Sequence, residues 1–580
     1  MILKHLKKYW VYAVLASAFM VLEVLVDLYQ PRLMAQIVDN GILGLDNGGT
    51  PQMNIVTKTG ILMLLVVLGG GISGILSAVC TNIASQNFGN DVRKAAFRRI
   101  MHLSFGQADK FSVGSLITRT TGDVTQLQNM VSQMIRGCVR CGMFFVAGSI
   151  ALLSLAADFG TVIFIALPLI LIEIAFVLWK TNPLFVLLQN RLDRMNTVIQ
   201  ENVAGARVVK AFIMEDKEQR RFAQSNSDLV DTQFGVLILM SYMRPVMNIV
   251  LNLATVAVIY IGGLRVKDGS MAPGTVMAAI TYLSQILNGM MMLAMIFQTV
   301  TRGMTSARRL KEVLGAEQPI ADGTGTAPET AGAVCFDHVS FAYPGSGVEI
   351  LHDISLSVAP GETLAVIGET GCGKSSLVNL IPRFYDVIAG SVTVDGLDVR
   401  EYPLKDLRGR ISFVLQKSEL FSTTIRENIT IGGTDVTEEK MITAAKAAQA
   451  HDFIMEQPQQ YDTPVAESGM SLSGGQRQRI AITRALVRRA GILVLDDSTS
   501  ALDFKTEAAL QNALRNEYTG MTKIIIAQRI SSVQHADRIA VLDNGSLAAC
   551  DTHENLLKSC PVYQDIYRSQ MKKGTENDGK

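Results

Sequence analysis

Charge is scarce in this chain. Asp, Glu, Lys and Arg make up 18% of its 580 residues, against roughly a quarter in soluble domains. The net charge of +1 leaves no overall field to draw in nucleic acid, and nucleic acid is not expected as a partner. Cysteine is thin as well. The seven thiols stand at 80, 138, 141, 335, 372, 550 and 560, in no spacing that suits a disulfide framework, so a reduced cytosolic face is expected. Cys138 and Cys141 form a lone CxxC in an apolar stretch, which reads as packing rather than metal binding. No small-residue cleavage site follows the first apolar run, which is too long for a signal peptide. That run is expected to stay in the protein.

What the chain has in excess is apolar sequence, 48% of all residues, concentrated in the first 300. A single core is too small for this length, so two or more domains are expected. Six runs, near 10–30, 60–84, 138–157, 160–179, 243–263 and 275–297, meet the roughly 20 residues that a helix needs to cross a bilayer. Backbone groups in lipid must find internal partners, so each run is helical. Lys and Arg set the orientation. Lys4, Lys7 and Lys8, the 85–130 segment and the 180–235 segment are basic. The 39–55 loop and the turn near Asp158 carry neither Lys nor Arg. The N-terminus, both long loops and the C-terminal half are therefore expected inside. Arg265 and Lys267 break the pattern mildly.

Trp10 and Trp179 sit at cytoplasmic ends of spans, as interface anchors do. Residues 1–9, MILKHLKKY, are expected to lie along the inner surface. Residues 85–130 and 181–240 keep helical periodicity without lipid-grade hydropathy. They read as membrane helices running on into the cytosol, or as small cytosolic hairpins. In the first reading the turns near 106–116 and 211–216 reach a cytosolic domain.

Three acids fall within the spans: Glu23, Asp27 and Glu173. Glu23 and Asp27 share a helix face at i, i+4. Ionisable groups at that depth face a polar cavity or a partner. They line a path for cationic substrates, or they pair with Arg136, Arg140 or another chain. The sixth span is rich in methionine (277, 290, 291, 292 and 295), which suits a promiscuous apolar pocket or ordinary packing.

The second half reads as a soluble α/β domain. A linker by composition, IADGTGTAPETAG, leads into it. Then LAVIGETGCGKSS sets a β-branched strand before Gly368, Glu369, Thr370, Gly371, Cys372, Gly373, Lys374 and Ser375, with Ser376 opening a helical stretch. This is G-x-x-x-x-G-K-[ST]. Backbone N–H groups cradle phosphate, Lys374 reaches the β/γ oxygens and the Ser375 hydroxyl meets Mg²⁺. Downstream, ILVLD ends a buried strand at Asp496, where a magnesium-holding acid belongs. LSGGQ offers Ser473, Gly474, Gly475 and Gln476 at a helix start, a second anion cradle. One ATP does not need two, so this one is expected to close over ATP held by another chain.

These motifs resemble a half-transporter of the ATP-binding cassette exporter family over nearly the whole chain. The resemblance implies a membrane α-helical domain, six transmembrane helices with long cytosolic extensions, plus an α/β P-loop nucleotide-binding domain. The boundaries it suggests are 1–315 for the membrane domain, 316–331 for a linker, 332–570 for the ATP domain and 571–580 for a disordered tail. It also implies that Tyr343 stacks on adenine, that Gln416 senses Mg²⁺ and touches the membrane domain, and that Asp503 lies in a loop crossing to the opposite subunit. The 211–216 turn would dock on the partner's ATP domain.

The sequence departs from the family twice. Asp497 stands where the hydrolytic Glu belongs, and Gln528 where the switch His belongs. An Asp falls one methylene short, and about 1 Å of misplacement can cost roughly 100-fold. A glutamine amide can bind phosphate but cannot hold a proton. The chain is expected to bind ATP and Mg²⁺ well and to hydrolyse poorly at its own site. Its LSGGQ would complete the site of a second, non-identical half-transporter that supplies the Glu and His. That pattern resembles the degenerate subunit of heterodimeric bacterial multidrug exporters, with drug-like cargo moved across the cytoplasmic membrane. A slow homodimer, a lipid flippase, an ATP-gated channel and a peptide-processing exporter are the alternatives. Alkylation of Cys372 is expected to block ATP.

Overall fold

The structure is a computed structural model that describes residues 5–316, 320–329, 331–433, 435–466 and 469–577. Residues 1–4 of the expected surface-lying N-terminus, including Lys4, and 578–580 of the expected tail lie outside the described residues. The chain forms two compact units, one of residues 1–101 and 113–315, the other of residues 102–112 and 316–580.

The first unit holds six long apolar helices: Lys7–Asn47, Met53–Met101, Val113–Leu155, Phe159–Ala204, Glu215–Lys267 and Pro273–Leu314. At 1.5 Å per residue, the 49 residues of the second helix span about 70 Å, more than twice the hydrocarbon core of about 30 Å. The basic stretches are therefore continuations of spanning helices and not separate hairpins. Leu64, Leu65, Leu68, Ile72 and Ile75 lie exposed along the second helix. Their i, i+3, i+4 spacing makes an apolar stripe that needs lipid or another chain. Trp10 and Trp179 are both exposed.

Polar pairs fix the register of this unit. Asp123, 2% exposed, accepts hydrogen bonds from the Ser306 hydroxyl at 2.8 Å and Arg309 at 2.5 Å. Tyr9 donates to Asp91 at 2.9 Å. Arg265, the exception to the charge rule, pairs with Asp158 of the other outer turn, so its charge is matched on its own side. A short helix, Ala206–Ala211, is followed by Phe212, Ile213 and Met214. Ile213 is 86% exposed with φ of 53°, a backbone state that costs a β-branched residue on the order of 1–3 kcal/mol.

The second unit is built on two sheets. Strands β1 (Val334–Ala342), β2 (Glu349–Val358), β4 (Ala389–Val394) and β5 (Leu397–Asp398) form an antiparallel sheet in the order β2-β1-β4-β5. Strands β3 (Thr363–Gly368), β6 (Ile411–Val414), β7 (Ile492–Asp496), β8 (Thr522–Ile526), β9 (Arg538–Asp543) and β10 (Ser546–Asp551) form the other, in the order β10-β9-β3-β8-β7-β6. Its β6-β7-β8-β3-β9 portion is parallel. All five residues of β7 and of β8 are buried, as strands covered on both faces must be, which explains the unbroken apolar runs.

The Gly-rich stretch is strapped onto this unit. Gly323 and Gly325 donate to the carbonyls of Tyr402 and Glu401, and Asp322 accepts from the Leu404 amide. At the other end the helix Pro561–Asn577 runs beyond residue 570, so residues 571–577, expected as disordered tail, continue a helix.

Candidate nucleotide site

Four loops meet at the C-terminal ends of parallel strands, where such sheets bind ligands. The loop 368–375 follows β3 and leads into the helix Lys374–Asn379. Asp496 and Asp497 end β7, Gln528 follows β8 and Gln416 follows β6. Tyr343 comes one residue after β1, whose last residue is Ala342.

The loop is shaped for close backbone approach. Gly373 has φ of 98°, and a Cβ there would fall 2.7 Å from Leu351. A Cβ on Gly368 would fall 2.2 Å from the Leu542 carbonyl. Glu369, Thr370 and Gly371 form the outer turn. Lys374 crosses the loop, donating to the carbonyls of Gly368 at 2.8 Å and Glu369 at 2.7 Å. Its ammonium also lies 3.8 Å from the Cys372 sulfur. Cys372 is 6% exposed, so a thiol reagent reaches it only when the loop opens.

Ser375 donates to Asp496 at 2.8 Å. A hydroxyl beside a buried carboxylate is a hard-oxygen donor set of the kind Mg²⁺ takes. Burial pushes the Asp496 carboxyl above its ordinary range, the Ser375 bond pulls it back, and the neighbouring Asp497 charge raises it again.

Asp497 has φ of 48° and is 8% exposed. Its Oδ2 accepts from Gln528 Nε2 at 2.8 Å and lies 3.5 Å from Gln416 Nε2. Burial raises this carboxyl too, while the two amides oppose the rise. The two residues that depart from the family pattern are therefore bonded to each other. On the other side of the loop, Tyr343 shares a 3.1 Å hydrogen bond with Ser376.

The LSGGQ segment lies at the start of the helix Gly474–Leu486. Ser473 is its N-cap, accepting from the Gln476 amide at 3.2 Å, and the Gln476 side chain accepts from the Ser473 amide at 2.8 Å. This S-x-x-Q capping box leaves the serine hydroxyl proton free to donate, along with the helix-start amides of Gly474 and Gly475. Asp503 has a local task that sequence reasoning missed. It caps the helix Phe504–Glu517, accepting from the Thr506 amide at 2.9 Å and the Thr506 hydroxyl at 2.8 Å.

The membrane acids separate into two groups. Glu23 lies 3.3 Å from Arg140 and 3.9 Å from Arg136, and Asp27 lies 3.7 Å from Arg140. A Cβ on Gly74 would meet the Glu23 carboxylate at 3.0 Å, so a glycine makes room for the cluster. Both Glu173 oxygens are shielded and have no hydrogen-bond partner among the described residues.

Three contacts beside Tyr343 escaped the sequence reading. Tyr385 packs edge-on to Tyr343, its hydroxyl bonds to Asp109, and Phe105 stacks on Phe384. A tyrosine following a phenylalanine was the only local signal.

Two family models cover the chain, "ABC transporter transmembrane region" over residues 14–291 and "ABC transporter" over residues 351–500. An uncharacterized ABC transporter ATP-binding protein of Bacillus subtilis, YfiB, is 36% identical over 99% of each chain. The chain belongs to the ABC transporter family. An ATP-dependent lipid A-core flippase of Syntrophus aciditrophicus is 34% identical to the transporter over 88% of this chain and 85% of that one. The structure of a bacterial Atm1-family ABC exporter with ATP bound matches it with a TM-score of 0.80 at 25% identity, covering 98% of both. The transporter is an ABC exporter half, a multi-pass membrane protein with a cytosolic ATP domain, and halves of this kind work as dimers.

Proposed function

We propose that this transporter is the impaired-site half of a heterodimeric exporter of small amphipathic molecules. The observation that carries the reading is the bond between Asp497 and Gln528. A water placed for attack on a γ-phosphate needs a group to take its proton and another to steady the developing charge. Here the acid is short and its carboxylate is held by amides, which cannot take a proton. The phosphate loop, Tyr343, Ser376 and the LSGGQ capping box are whole. Such a chain binds ATP and lends its LSGGQ to a partner whose own Glu and His hydrolyse.

Ser375, Asp496 and Gln416 would hold Mg²⁺, which would neutralise charge on the phosphates when bound. ATP binding draws two cassettes together, and the cytosolic extensions carry closure to the spans. Asp503 and the 211–216 turn would face the partner. Of the three membrane acids, Glu173 is the one left to meet a cationic group on cargo, since Glu23 and Asp27 have arginines. A lipid cargo is the second reading, favoured by the flippase relative.

The test is ATPase activity of the purified chain alone, of a candidate partner alone and of the two co-expressed. Little turnover alone and strong turnover together supports the proposal. Brisk hydrolysis by this chain alone, abolished by Asp497→Asn, sinks it.

A further inference from the structure

The residues around Tyr343 form a path that leaves the nucleotide site. Tyr343 meets Tyr385 edge-to-face, ring centroids 5.1 Å apart at 88°. Tyr385 is 8% exposed, and its hydroxyl donates to Asp109 Oδ2 at 2.8 Å. Asp109 belongs to the short helix Phe105–Lys110, which groups with the ATP domain although the chain on either side of it belongs to the membrane unit. Phe105 of the same helix stacks on Phe384 at 4.1 Å. A Cβ on Gly106 would fall 3.2 Å from Pro344 and 3.5 Å from Tyr385, so the helix backbone rests directly against the segment bearing Tyr343. A capping box, Ser104 with Gln107, stiffens its start.

Packing alone does not call for a tyrosine at 385. The Phe105–Phe384 stack already anchors the helix, and a phenylalanine would fill the same aromatic cluster. A buried phenol must find a partner or pay its desolvation cost. Tyr385 finds that partner on Asp109. Burial and the Asp109 carboxylate both push the phenol well above its usual range, so it stays a donor.

We propose that Tyr385 is a positioning residue that couples a purine base on Tyr343 to the 102–112 segment. A base laid on Tyr343 restricts that ring, the edge-to-face contact restricts Tyr385, and the hydroxyl holds Asp109. Chain continuity then passes the restraint to the second and third membrane helices. The transporter thus senses the base as well as the triphosphate. The inference rests on the exporter reading, and it assigns the impaired site a task that needs no hydrolysis.

Hydrogen exchange of the peptide covering 105–110, in the full-length transporter with its partner, tests this. MgATP should slow exchange by about tenfold, and magnesium tripolyphosphate, which lacks a base, should not. Tyr385→Phe should keep ATP affinity within about threefold and lose the ATP-induced slowing. Asp109→Asn should do the same, and the pair together should add nothing. A merely structural Tyr385 would instead speed exchange equally with and without ATP. That result, or an equal response to tripolyphosphate, overturns the proposal. Failure of the unmodified transporter to bind ATP at all would overturn the exporter reading, and this inference with it.

Discussion

Asp497 and Gln528 are bonded across 2.8 Å, so neither can be changed alone without stranding the other. Lengthening the acid and restoring an imidazole should work as a pair. Asp497→Glu with Gln528→His is expected to raise hydrolysis at this site by roughly 100-fold, the scale of a 1 Å correction in placement. Each single change should give far less. Steady-state ATPase measurements on the isolated chain check this. A second outcome concerns acid. Asp496 must be ionised to hold Mg²⁺, and burial with the Asp497 charge raises its pKa. Magnesium dependence of ATP affinity should therefore fade, as pH falls, sooner than an ordinary aspartate would allow. Asp497→Asn removes the like charge, lowers the Asp496 pKa and should move that fading to lower pH. Nucleotide titrations with and without Mg²⁺ across pH read it directly.

Among the elements, local signals were legible and distant ones were not. The glycine and lysine spacing of 368–375 could be read because the motif lies within one turn and one helix start. The S-x-x-Q of LSGGQ is equally local. Asp503 also caps its own helix through Thr506, a bond that nothing in SALD announces. The Tyr385–Asp109 bond joins positions 276 residues apart, and no periodicity encodes it. Glu23 and Arg140 are 117 apart, so their pairing comes from helix packing that neither span's own sequence encodes. Close helix contact is another long-range fact. Gly303 of the sixth helix would put a Cβ 2.4 Å from the Met130 Cβ of the third. Gly303→Val should cost about 1–3 kcal/mol by overpacking, seen as a lower unfolding temperature in detergent, whereas Gly69→Val, at a position open around its Cβ, should not.

At the scale of the whole transporter, Lys and Arg placement decides which loops face the cytosol. In a chain stripped of native cysteine, Asn47→Cys should react with an impermeant maleimide on intact cells. Ala108→Cys should react only after permeabilisation, and the reverse labelling would invert the orientation. The exposed knob of Phe212, Ile213 and Met214 also acts at this scale. A cell that makes this polypeptide faster than whatever shelters those three side chains accumulates sticky, membrane-tethered surplus. On the heterodimeric reading proposed above, matched synthesis of two gene products becomes a demand written into a single cytosolic bend.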